Sequence, residues 1–130
     1  MMNTKTYNHG VPWEEAYGLT QGYCVNNTIY ISGQFSHDLH GNFVGEGDFE
    51  TQARQTLKNL DYVLEGFGVT RSNIAEMEIF LTNPQDHFEQ CVVLFKEYVG
   101  DHRPAGTLIG VSGLAFPHQL IEIRAVAHTD

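Results

Sequence analysis

Hydrophobic and polar positions along this chain follow two rhythms, one of period two and one of three to four residues. Gly22-Tyr23-Cys24-Val25 and Thr28-Ile29-Tyr30-Ile31-Ser32 are β-prone runs separated by Asn26-Asn27, and asparagine tolerates the positive φ of a tight hairpin turn. Gly33 ends the second run, and residues 36–47 read as a loop with a short strand at Phe43-Val44. From Asp48, a good N-cap residue, the spacing of Phe49, Ala53, Leu57, Leu60, Leu64 and Phe67 predicts a helix that Gly66 and Gly68 stop. Residues 75–82 alternate as a strand, with Met77, Ile79 and Leu81 on one face and Glu76, Glu78 and Phe80 on the other. Asn83-Pro84 starts a second helix that turns Phe88, Cys91, Val92, Phe95 and Val99 inward and ends at Gly100. Strands at 107–111 and 119–127 close the chain, the last with Leu120, Glu122 and Arg124 on one face and Ile121, Ile123 and Ala125 on the other.

The order is ββαβαββ, which predicts an α+β domain: one sheet of about six strands with two helices on one face. Its 130 residues form one domain, 1–130, with residues 1–16 as a polar lead-in. With 42% apolar residues the chain can build a real core. No run reaches the roughly 18 to 20 apolar residues that cross a bilayer, and the start carries no basic cluster followed by an apolar run. The expected setting is cytoplasmic, without a membrane partner. Cys24 and Cys91 lie far apart within apolar stretches and read as buried thiols.

Charge narrows the function. Seven Lys and Arg against sixteen Asp and Glu give −9, with no basic cluster, which argues against a nucleic-acid partner. Seven histidines include no helical i, i+4 pair. His37, Asp38 and His40 share a loop but lack a further ligand, so no metal and no cofactor is expected. Neither the cysteines nor any serine has an activating context for nucleophilic catalysis.

Five stretches, in order and spacing, carry a resemblance: Asn27–Gln34, Gln52–Leu60, Ile79–Thr82, Arg103-Pro104-Ala105 and Ile121–Ala127. Over about residues 17–128 the chain resembles the RidA/YjgF family of reactive-intermediate deaminases. The resemblance implies a chorismate-mutase-like fold and a homotrimer with ligand clefts between subunits. It also implies hydrolysis of enamines and imines to a carbonyl compound and ammonia. In that chemistry an arginine grips the substrate carboxylate with two parallel hydrogen bonds, and a glutamate on the last strand handles the attacking water.

Carried over position by position, the glutamate matches Glu122, and the family's Ser-Gly-Gln matches Ser32, Gly33 and Gln34. The Pro-Ala-Arg-Ser motif reads Pro104-Ala105-Gly106-Thr107, so Gly106 stands in the arginine's place. Leu108 replaces a Cys or Thr, Val92 an asparagine, and Leu19 a tyrosine, with Tyr17 two residues away. Arg103, beside the vacated position, and Arg124, on the face of Glu122, are the cations that could substitute; an exposed loop residue and a structural ion pair are the plainer readings. Trp13, with Glu14 and Glu15, reads as edge packing. The leading expectation is a homotrimer that binds a small molecule and hydrolyses an imine or related intermediate through Glu122. The alternative is a ligand-binding or regulatory trimer without that chemistry. RNA cleavage conflicts with the charge.

Overall fold

In the computed structural model, which describes residues 3–130, a six-stranded sheet is the frame. Its elements are β1 (Thr4–Tyr7), α1 (Pro12–Tyr17), β2 (Gly22–Val25), β3 (Thr28–Gln34), α2 (Phe49–Gly66), β4 (Ile74–Leu81), α3 (Pro84–Val99), β5 (Ala105–Gly110) and β6 (Ile121–His128). A single 3₁₀ turn, Arg71–Asn73, leads into β4. The strand order is β1-β2-β3-β6-β4-β5, and every neighbouring pair is antiparallel except β4 with β5.

The predicted helices and central strands are present. Asp48 caps α2 by accepting from the Thr51 N–H at 3.1 Å, and Asn26 takes the left-handed turn conformation at φ 55°. Phe49, Ala53, Leu57, Leu60 and Leu64 are buried against Ile29, Ile31, Ile79, Ile121, Ile123 and Ala125, which defines an inner sheet face under α2 and α3. Burying a side chain of this size stabilises by roughly 1.5–3 kcal/mol, so the two helices and this face are one cooperative core. Both cysteines are buried within it.

Four sequence expectations need correction. The lead-in is not featureless: β1 pairs with β2 along the sheet's edge, and Pro12 opens α1. Phe88 is 51% exposed, and Leu94 and Tyr98 take inward positions on α3 instead. A helix surface presents more apolar positions than the core can cover, and here α3 rolls toward its 94/98 side. Phe43 makes only an isolated bridge to His37. Finally, β5 starts at Ala105 and β6 at Ile121, so Gln119 and Leu120 belong to the approach to the last strand.

A bulge separates two halves of β3. Ile31 pairs with Ala125 and Gln34 with Ile123, so Ser32 and Gly33 together oppose one residue, Arg124. The extra residue shifts the alternation by one. Gln34 therefore points to the inner face beside Ile123, where strict alternation from Ile31 would have sent it outward.

Candidate functional site

Two groups of the predicted residues come together, on opposite sides of the sheet. The first is on the outer face, away from α2 and α3, around Glu122. Its side chain rises from β6 opposite Phe80 of β4 and leans over Gly33. A Cβ on Gly33 would stand 2.7 Å from the Glu122 carboxyl carbon and would overlap Oε2, so only glycine leaves room for the carboxylate. Oε1 accepts a hydrogen bond from Nε2 of Gln119 at 3.1 Å. Ser32, half-buried beside Gly33, donates its hydroxyl to the Thr20 carbonyl at 2.7 Å.

Gln34 does not join this surface. It is 1% exposed; its Nε2 donates to Gln21 Oε1 at 2.9 Å and to the Ser32 carbonyl at 3.0 Å, and its Oε1 faces His9 Nε2 at 2.8 Å. With both amide hydrogens committed, Oε1 must accept, so His9 carries its proton on Nε2. Gln34 is thus a buried strut that fixes the bulge. Tyr17, 71% exposed, and Leu19, 40% exposed, flank the end of α1. That short helix is held by Glu14, buried, which accepts from the N–H groups of His9, Gly10 and Val11 at 2.8, 3.0 and 3.1 Å. Trp13 packs edge-on against His37, with centroids 4.7 Å apart, and tilts against Phe35. His37 turns Nδ1–H to the Asp38 carbonyl at 2.7 Å.

The second group lies at the other edge, between β5 and α3. Val92, Gly106 and Leu108 line a cleft of about 190 Å³ with Phe88, Cys91 and Phe95, and Thr107 borders it. Nothing there is charged. Burial pushes the Cys91 thiol up to about 11, so at neutral pH it is a protonated, apolar neighbour. Gly106 has no positive φ, and a Cβ on it would meet Phe95 at an ordinary 3.7 Å. The backbone therefore tolerates a side chain here; the absence of one leaves the cleft open.

Neither candidate cation is among the residues that line the cleft. Arg124 shares the outer face with Glu122 but is held by Glu78, its directly opposed neighbour on β4. Arg103 is exposed in the connection between α3 and β5. Glu122 and Gly106 are separated by β4, about 10 Å sideways at the usual strand spacing, and face opposite sides of the sheet. One copy of the chain cannot close both groups around one small molecule.

Residues to which the sequence assigned no site role also shape the site. Gln52, 0% exposed on α2, accepts from the Leu120 N–H at 2.9 Å and donates to the carbonyls of His118 and Gly45 at 2.9 and 3.0 Å. It thereby pins the entry to β6. Asn59 does the same for the loop after β3, donating to the carbonyls of Phe35 and His37. Gln52, Thr56 and Asn59 at helical spacing form a polar stripe beside the apolar one. That spacing was visible in the sequence, but the stripe's partners were not.

Comparison with known proteins agrees with this architecture. The family model described as Endoribonuclease L-PSP matches residues 13–129. A 2-iminobutanoate/2-iminopropanoate deaminase of Dermatophagoides farinae is 30% identical over 107 residues, 82% of each chain. A protein of Lactococcus lactis named as a regulator, AldR, is 32% identical over 82% of this chain and 83% of its own. The crystal structure of YyfA from Yersinia pestis, described as a Rid family protein of unknown function, superposes with TM-score 0.87 at 30% identity, covering 98% of this chain and all of that one.

Proposed function

As this chain belongs to the Endoribonuclease L-PSP family, the YjgF/Rid family of its structural neighbours, we propose that it binds a small molecule between copies of itself and hydrolyses it at an imine or enamine carbon. The observation that carries the reading is the Glu122 carboxylate held over Gly33 on the outer sheet face, opposite the one that α2 and α3 cover. Tyr23 and Tyr30, paired across β2 and β3 and 43% and 47% exposed, lie on that face, which suits burial against another copy. Packing copies so that the Glu122 face of one meets the Val92–Gly106–Leu108 edge of the next would unite the two groups; a trimer does this three times.

In the reaction, an enamine first tautomerises to the imine, its β-carbon taking up a proton as its nitrogen loses one. Glu122 then accepts a proton from water as the oxygen attacks the C=N carbon and passes that proton to the nitrogen. The resulting carbinolamine expels ammonia and leaves the carbonyl compound. Positioned acid–base catalysis of this kind contributes about 10²–10⁴-fold. The far end of the ligand meets an apolar cleft rather than an arginine. A bidentate contact to a charged group contributes on the order of 2–3 kcal/mol, so a simple α-imino acid would bind roughly 30- to 150-fold less well than to a site with that arginine. A neutral or bulkier substituent suits the cleft.

The test couples an amino-acid oxidase or a pyridoxal-phosphate dehydratase, which generate imines and enamines, to ammonia release. The expected result is acceleration by this protein that Glu122→Ala abolishes. A second reading, a binding or regulatory trimer without turnover, draws on the uncharged cleft and the regulator relative. It is favoured if no imine is hydrolysed faster and ligand affinity survives Glu122→Ala. RNA cleavage has the weaker support, because Arg54, Arg71 and Arg124 are each committed to carboxylates on a chain of charge −9.

A further inference from the structure

Gln119 is 2% exposed, just before β6, and its side chain is used unevenly. Nε2 donates to the Ile121 carbonyl at 3.2 Å and to Glu122 Oε1 at 3.1 Å. Both partners are acceptors, so the amide can lie only one way round. That orientation leaves Oε1 buried with no partner. An orphaned buried acceptor costs about 1–3 kcal/mol, and a leucine or methionine of similar size would avoid the cost. The side chain is therefore poorly suited to packing and well suited to holding the neighbouring carboxylate.

We infer that Gln119 is a positioning residue for Glu122: it tethers Oε1 and leaves Oε2, the oxygen above Gly33, as the one that meets water or ligand. The inference rests on the reading of Glu122 as the reacting base. Three features enforce the geometry together. Gln52 fixes the backbone on both sides of Gln119 through Leu120 N–H and the His118 carbonyl. The Gln119 N–H is itself bonded to the Phe116 carbonyl at 3.1 Å. Gly33 provides the space into which the tethered carboxylate leans. A carboxylate on a free side chain would sample several rotamers; one held at Oε1 and walled by Gly33 presents one oxygen in one direction.

The experiment replaces Gln119 with Leu and, in parallel, with Met. Ammonia release is measured with the substrate that wild type accelerates most, together with melting temperature and the ¹³C resonance of the Glu122 carboxyl. The expected result is kcat lower by about 10-fold with KM within twofold, an unchanged or higher melting temperature, and a displaced carboxyl resonance. Unchanged kcat with an unmoved resonance overturns the inference. So does a lower melting temperature with full turnover per folded molecule, which would make Gln119 a packing residue only. If wild type hydrolyses no imine, it is the proposed function that fails, and the carboxyl resonance alone decides the tether. If neither variant folds, the side-chain NH₂ signals of Gln119 in wild type and Glu122→Ala decide it: they must move when the carboxylate is removed, and static signals refute the contact.

Discussion

Glu122 and Gly33 occupy one space on the outer sheet face: the carboxylate of the first fills the volume that a side chain on the second would need. The bulge of β3 brings the glycine there. Because the colliding atoms are the end of a flexible side chain, Gly33→Ala should be tolerated by the fold at a cost of about 1 kcal/mol. It should nevertheless turn Glu122 away and lower kcat by at least about tenfold. Paired thermal melts and ammonia-release assays check this; a fully active Gly33→Ala protein would remove the carboxylate's placement from the mechanism.

Gly106 invites the opposite change. Its backbone accepts a Cβ, and the nearest side-chain atom, on Phe95, stands at ordinary contact distance. Gly106→Arg should fold, reach across the cleft, and shift preference toward carboxylate-bearing imines by roughly 30- to 150-fold. Gly106→Val should fill the cleft and weaken neutral ligands. Competition between 2-iminopropanoate and a neutral imine reads both; identical preferences in all three proteins would separate this cleft from the ligand.

Gln52 is the strut whose loss should be felt furthest. Gln52→Leu keeps the volume but leaves the backbone groups of Leu120, His118 and Gly45 without their partner. We expect a loss of about 2–3 kcal/mol in denaturant unfolding, together with reduced turnover, because the same loop carries Gln119 to Glu122. A loss below about 0.5 kcal/mol would mean that water replaces the side chain freely.

Acid should weaken the fold through His9 and His37. Burial first of all holds both imidazoles below their ordinary value of 6.5, and each partly offsets this through hydrogen bonding. The unfolded chain then takes up protons that the folded chain refuses. Their contribution is complete above about pH 6.5 and is lost as pH falls through that value toward the depressed folded one. The fall in melting temperature from pH 7.5 to 5.5 should be smaller in His9→Gln than in wild type. An equal fall in both would assign the acid sensitivity to other groups.

How much of this was legible in the sequence depended on which interactions are periodic. The apolar faces of α2 and the central strands repeat every three to four or two residues, and these are the faces the structure buries. β1 was not legible, because a Thr-Lys-Thr-Tyr strand at an exposed edge has no buried face to alternate against. α1, six residues long, is too short to show a period and is held by the Glu14 carboxylate instead. Periodicity places the exposed Phe88 inward because it gives a helix's apolar side but not how far the helix rolls on the sheet. In the candidate site, motif positions located Glu122, Gly33 and Gly106. Gln34 looked equivalent to its neighbours until the bulge turned it inward. The roles of Gln119 and Gln52 were not legible, since they are set by partners 3 and 68 residues away that periodicity does not reveal.

The placement of β6 between β3 and β4 has a consequence for how the molecule comes into being. Without β6 the chain has two half-sheets, β1-β2-β3 and β4-β5, that have no strand in common. Residues 121–128 join them and deliver Glu122 in the same step. Until then both halves expose a bare strand edge beside apolar side chains, the arrangement most prone to pairing with the wrong chain. Chains that end before Ile121 should therefore aggregate or be degraded rather than form a smaller working protein.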